Sequence, residues 1–345
     1  MGKQSLLIIG LIFLWALTSC APQQEQAEQT ESSALLDLSG PYIGQEPPGA
    51  EPPELFAPGI VTSGLSTRDV AILPDGSEIY FGLFLPNYKF AAIAYTRLDD
   101  GRWTRPEIAP FSGKYRDLEP CISPDGSKLF FLSYRPLETG GEATDNEDIW
   151  VVDRVDDGWG EPYNIGPPVN SEAGEFFPSV TNDGTLYFTR FNTQTRGNEI
   201  LRSRFVDGRY AEPERLPDQV NCGRDRFNAF VAPDESYSIV PAFGMEDSVG
   251  SVDYYIVFRN PDDTWSEPVN MGDKVNTDGA QEYSPYVTRD GKYFFFMSSR
   301  TRFDEGYHNL SLTLADILEI HKAPEHGNSS IYWMDAGFIE GLRPQ

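Results

Sequence analysis

Carboxylates and arginines recur at two fixed positions of this chain, and they are the residues whose types and spacing could do chemistry. Five turns are centred on Gly76, Gly126, Gly184, Glu235 and Gly291. Ahead of each, one position holds Thr67, Asp117, Glu175, Arg226 and Glu282, and a position two residues later holds Asp69, Glu119, Phe177, Asn228 and Ser284. Brought together, Asp69, Asp117, Glu119, Glu175, Arg226 and Glu282 could bind a cation, grip a basic or sugar ligand, or supply the acid and base of a glycosidase, whose two carboxyls stand about 5 to 9.5 Å apart. The same side chains could instead cap loops and bond neighbouring backbone amides, keeping the repeated units in register. Arg135, Arg190 and Arg300, at the ends of second strands, read first as braces between blades.

Other chemistries have little to build on. The 3 histidines, His308, His321 and His326, all fall near the carboxyl end, too few and too clustered for a His-rich metal centre or a distributed Ser-His-Asp triad. The Asp145-Asn-Glu-Asp148 patch lacks the ligand spacing and central glycine of an EF-hand. Neither a Gly-x-Ser-x-Gly elbow, nor a phosphate-binding glycine loop, nor a Cys-x-x-Cys pair is present, and no cofactor is expected. Cys121 and Cys222 read as two unpaired thiols. A formal net charge of -26 and the lack of any basic run argue against nucleic acid and anionic lipid as partners, while cations, basic peptides and neutral glycans stay open.

The elements that must position these residues are strands. Glu119-Pro-Cys-Ile-Ser-Pro-Asp-Gly-Ser-Lys-Leu-Phe-Phe-Leu-Ser-Tyr-Arg135 reads as strand, tight turn and strand, and its five copies lie roughly 50 to 58 residues apart. Each unit then adds a third strand such as Asp148 to Arg154, a turn such as Asp156-Asp-Gly-Trp159, and a fourth strand such as Trp159 to Gly166. The period and the four strands per unit predict an all-β, five-bladed β-propeller of antiparallel blades. The fifth unit ends on Ser330-Ile-Tyr-Trp-Met-Asp335, a third strand without a fourth, and Pro53 to Val61 reads as a fourth strand without a third. Joining them closes the ring and removes its open edges. Thr313 to Lys322 is the one helical segment, expected to pack against the last blade.

The Ser-Pro-Asp-Gly turn, the preceding Pro, the Phe-Phe-x-Ser-x-Arg second strand and the Asp-Ile-Trp third strand resemble TolB-type propeller repeats, over residues 53 to about 343. The resemblance implies the propeller fold. TolB carries six blades and an amino-terminal α/β domain that have no counterpart here, so its bridging role is not implied. Residues 1–20 have Lys3, an apolar segment from Leu6 to Leu17 and then Leu17-Thr-Ser-Cys20, which is similar to the lipobox of bacterial lipoproteins. That likeness implies a signal peptide over 1–19, lipidation of Cys20, and, with Ala21 following, an outer-membrane lipoprotein facing the periplasm or cell surface, held to the membrane through its lipid alone. Residues 20–52 read as a polar, disordered tether, and 53–345 as the propeller.

The first strands of a propeller line its central channel, so both columns are expected to face the channel mouth and a ligand to sit there. The chain is expected to act as a binding or interaction module for an envelope protein or a glycan. The alternative is a glycan-processing hydrolase or lyase using Asp117, Glu175 and Glu282.

Overall fold

The repeated turn shows why each unit folds as it does. In the second unit Asp125 accepts hydrogen bonds through Oδ1 from the Ser123 hydroxyl at 2.6 Å and from the Ser127 N–H at 3.0 Å. Pro124 presets the first turn dihedral, and Gly126, at φ 75°, supplies the left-handed one and donates its N–H to the Ser123 carbonyl at 2.8 Å. The flanking residues then alternate into paired strands.

The computed structural model describes residues 35–49, 52–138, 140–303 and 311–344. The leader, Cys20, about half of the expected tether and His308 lie outside these residues. Five antiparallel sheets form a five-bladed propeller. The three long strands of blade 1 are Ser66–Ile72, Glu78–Phe84 and Ala91–Asp99; of blade 2, Asp117–Ile122, Lys128–Ser133 and Asp148–Val155; and of blade 3, Glu175–Val180, Leu186–Asn192 and Gly197–Ser203. Blade 4 has a broken inner strand, Asp225–Arg226 with Phe230–Val231, followed by Tyr237–Phe243 and Asp253–Phe258. Blade 5 has Glu282–Val287, Tyr293–Ser298 and Ser330–Asp335. Its outer strand is Glu54–Leu55, pairing with Trp333 and Tyr332, so the two ends of the propeller close one sheet as the sequence predicts.

Fourth strands are shorter than their pattern. In blade 2 the expected run from Trp159 to Gly166 is two pieces, Gly158–Trp159 and Tyr163–Asn164, separated around Pro162, which has no N–H to give a ladder. The connection that follows is rigid for a different reason. Asn170 donates to the Ile149 carbonyl and accepts from the Ile149 N–H, and Asn221 and Asn276 do the same with Ile200 and Tyr254.

The cores lie between blades, where rings from adjacent sheets meet. Phe56, Phe295 and Trp333 are fully buried around the closure, with Phe56 edge-on to Phe295 at 5.0 Å.

Two expectations are corrected. Residues 35–49, read as tether, pack on blades 1 and 5: Ile43 is buried, the Trp103 indole donates to the Gly40 carbonyl at 2.8 Å, and Gln45 donates to the Leu55 carbonyl at 3.0 Å. Leu36, Leu38, Tyr42 and Ile43 supply the apolar area that a free linker lacks. The helix Leu314–Lys322 forms, with Thr313 and Asp316 making a capping box, but it buries none of its residues: Leu314 is 72% and Ile317 50% exposed. No helix among the described residues is long and apolar enough to cross a membrane.

Candidate functional site

The second column of the repeat has an unusual backbone. Asp69, Glu119, Phe177, Asn228 and Ser284, one from each blade, all lie at φ 50 to 60°, a region L-residues avoid. Each such residue costs roughly 1 to 2 kcal/mol. In blades 1, 2, 3 and 5 the pairing register of the inner strand slips across this residue, producing a bulge. The bulge turns side chains and N–H groups of the column toward one another.

What results is a hydrogen-bonded plug across the channel. Asp69 accepts from the Glu119 N–H at 3.3 Å, and Glu119 in turn accepts from the Phe177 N–H at 2.7 Å. Arg68 donates to Asp69 at 2.8 Å and to Glu119 at 2.6 Å, giving two carboxylates one shared guanidinium. The Asn228 amide reaches Glu119 and Ser284, each at 3.4 Å, and its Oδ1 has no partner among the described residues. Burial pushes the Glu119 carboxyl up to about 8 against the opposing pull of Arg68, with Asp69 and Glu147 adding to the rise. Burial works against the Arg68 charge, but Asp69 and Glu119 overcome it and hold that guanidinium firmly protonated.

A cavity lies on each side of the plug. One, of 620 Å³, runs toward the Pro-Asp-Gly turns and is walled by Val70, Ile72, Ile122, Val180 and Val231. The other, of 500 Å³, opens at the opposite mouth. Every blade gives the second cavity a ring: Tyr88 from a blade 1 loop, Tyr134 from the end of a blade 2 strand, and Phe176, Phe227 and Tyr283 from the inner strands of blades 3, 4 and 5. Its polar groups are Arg68, Arg116, Glu119, Glu147, Asn228 and Gln281. Arg68 donates to the Tyr88 hydroxyl at 3.2 Å and lies 4.8 Å from the Tyr283 ring, and the Tyr88 and Tyr283 hydroxyls are 3.2 Å apart. On the other wall Arg116 lies 3.6 Å over the Tyr134 ring, whose hydroxyl donates to Glu147. This mouth, which joins flat apolar walls to a few fixed polar groups, is the best-formed candidate site.

The six residues singled out from the sequence separate into two groups. Asp69 and Glu119 meet at the plug. Asp117, Glu175, Arg226 and Glu282 do not join them, because each is buried inside its own blade. Asp117 accepts from Ser112, Ser133 and Arg135; Glu175 from Ser171 and Arg190; Glu282 from Ser298, with Arg300 at 3.9 Å. Arg135, Arg190 and Arg300 also donate to the carbonyls of Phe111, Val169 and Val275, so each arginine ties the incoming connection to the foot of the inner strand. In blade 4 Arg226 occupies the carboxylate position and donates instead to the carbonyls of Asn198, Cys222 and Gly223. Burial raises Asp117 and Glu175 above the usual carboxylate range and pushes Glu282 up to about 7.

The position between the two columns went unremarked in the sequence. It holds Arg68, Leu118, Phe176, Phe227 and Tyr283, and all five line the mouth. Strict alternation would place this position on the face opposite its neighbours, and the left-handed residue that follows it breaks the alternation. A run of bulky or cationic residues there was the available signal.

Elsewhere, His321 and His326 have ring centroids 5.5 Å apart, and no group of three or more His, Cys, Asp or Glu that could hold a metal occurs among the described residues. Cys121 and Cys222 are both free, and burial raises their thiols to about 12 and about 11, far from reactive near neutral pH.

No family model and no curated protein matches the chain. Among solved structures it is similar to TolB from Acinetobacter baumannii, at 15% identity over 78% of this chain and 57% of that one, with a TM-score of 0.41. It is also similar to an alpha-L-arabinofuranosidase from Lactobacillus brevis, at 12% identity over 81% of this chain and 95% of that one, with a TM-score of 0.46. The exo-beta-1,3-galactanase 1,3Gal43A from Clostridium thermocellum matches at 12% over 82% and 64%, with a TM-score of 0.46. The chain thus spans little more than half of TolB. Likeness this distant carries no argument about activity.

Proposed function

We propose that the chain is an envelope-anchored binding module that holds a glycan in the aromatic mouth of its channel. The observation that carries this reading is the 500 Å³ cavity to which all five blades contribute a ring. Aromatic faces suit the C–H faces of a sugar, and fixed polar groups at the edge suit its hydroxyls. The leader, with its lipobox-like ending at Cys20, supports attachment to the bacterial envelope, outer membrane included.

The competing reading is glycan hydrolysis, and what favours it is the presence of Glu119 and Glu147 in one mouth, with Asp69 behind them on the far side of the plug. Their partners count against it. Both Glu119 oxygens accept N–H bonds, Asp69 is tied to Arg68 and the Glu119 N–H, and one Glu147 oxygen receives the Tyr134 hydroxyl, so these carboxyls are held by partners within the protein.

A thermal-shift screen of the full chain against envelope glycans tests the proposal. A ligand at a hundred times its Kd stabilises the folded state by about 2.7 kcal/mol. The expected result is a saturable rise in Tm that Phe227→Ala abolishes and Tyr163→Ala, far from the mouth, leaves intact. Ligand-induced shifts that survive Phe227→Ala would place binding elsewhere, and release of reducing ends from a bound glycan would establish the hydrolase instead.

A further inference from the structure

Arg116 sets the mouth apart from an ordinary aromatic pocket. The chain carries 53 acidic residues against 27 basic ones, and most arginines near the channel are neutralised: Arg68 by Asp69 and Glu119, Arg135 by Asp117, Arg190 by Glu175. Arg116 is not. It is half-buried, lies over the Tyr134 ring at 3.6 Å, and its guanidinium has no carboxylate or other hydrogen-bond acceptor among the described residues. Its platform is fixed in turn, because the Tyr134 hydroxyl is held by Glu147. A guanidinium resting on a ring presents its N–H donors at its edge, in the fork geometry that matches a carboxylate.

We infer that the mouth recognises a sugar bearing a carboxylate, a uronic-acid unit, whose acid group pairs with Arg116 while its ring lies among Phe176, Phe227 and Tyr283. The inference rests on the reading of the mouth as a glycan site and adds the class of glycan. The overall charge of -26 does not contradict it. That field is screened beyond about 8 Å at physiological ionic strength, so inside the cavity the near groups decide, Arg116 and Arg68 beside Glu119 and Glu147. The same field disfavours long polyanions, so the unit taken is a single or terminal acid residue rather than the interior of a highly charged polymer.

The experiment is calorimetric titration of the full chain with disaccharides of galacturonate, glucuronate, mannuronate and guluronate, each beside its methyl ester, and with a tripeptide carrying a free carboxyl terminus. Esterification removes the charge and keeps the ring. At least one uronate should bind, its ester about tenfold or more weakly, as the loss of a charge-assisted pair requires. Arg116→Met should erase that difference by weakening the acid form alone, and Arg116→Lys should restore part of it. Equal binding of acid and ester to the native chain overturns the inference while leaving the glycan site standing. Binding of esters only, or of the tripeptide in preference to every uronate, also overturns it. Binding of none of the sugars, acid or ester, removes both the inference and the reading on which it rests.

Discussion

Two sets of carboxylates, at positions two residues apart on the inner strands and both present only in blade 2, have opposite fates in this molecule. Asp117, Glu175 and Glu282 stand at the foot of their inner strands, each beside its own arginine or serine, and serve one blade at a time. Asp69 and Glu119 stand on left-handed residues in the channel, share Arg68, and join one blade to the next through backbone N–H groups. Residue type does not separate the two sets. Backbone conformation does, because the bulge at the second column turns its side chains out of the blade and into the channel.

The sharpest way to break this contrast is Arg68→Met. It leaves Asp69 and Glu119 buried around an absent cation, and removal of one partner from such a group costs about 3 to 5 kcal/mol, readable as a fall in the urea midpoint. A loss below about 1 kcal/mol, the range of an exposed pair, would show that the plug is hydrated.

A double-mutant cycle sharpens the comparison further. Arg135→Met with Asp117→Asn should show a coupling of about 0.5 to 3 kcal/mol, since the two side chains are 2.9 Å apart and buried. Arg68→Met with Asp117→Asn should be additive within about 0.5 kcal/mol, because no partner is shared. Coupling in the second cycle would mean that the two sets act as one network.

The two sets also meet in the pH dependence of stability. Glu119 and Glu282 have folded-state values of about 8 and about 7 against an ordinary 4.5, so the folded chain holds their protons more tightly than the unfolded chain does. Their contribution to stability is fully present below 4.5 and is lost as pH rises through 7 and 8. Chemical denaturation at pH 5.5 and pH 8.5 should therefore show lower stability at the higher pH, with a smaller drop in Glu119→Gln. A rise in stability toward pH 8.5 would mean that the plug carboxylate is ionised throughout.

Much of the architecture was legible because it rests on local chemistry repeated five times. Asp125 and Gly126 dictate a turn wherever they fall in that setting, alternating rings dictate strands, and the unmatched strands at Glu54 and Ser330 require each other. That Arg135, Arg190 and Arg300 brace the structure was legible for the same reason, since they recur at one offset, but they were read as bracing between blades and each ties its own blade's carboxylate to the incoming connection. The helix Leu314–Lys322 shows the limit of such reading, because its apolar spacing predicted a packed face and Leu314 and Ile317 stand exposed. Apolar periodicity establishes that a face exists and says nothing about what covers it.

From the sequence alone came the strands, the turns, the closure and the presence of carboxylates in two columns. Which column enters the channel was decided by tertiary structure. A run such as Asp117-Leu-Glu-Pro120 does not announce that Glu119 will adopt φ 60°; that conformation persists because neighbouring blades supply hydrogen-bond partners for it. The pairing of Arg68 with Glu119, and the gathering of Tyr88, Tyr134, Phe176, Phe227 and Tyr283 around one mouth, likewise follow from ring closure, which brings together residues of separate blades that no local pattern links.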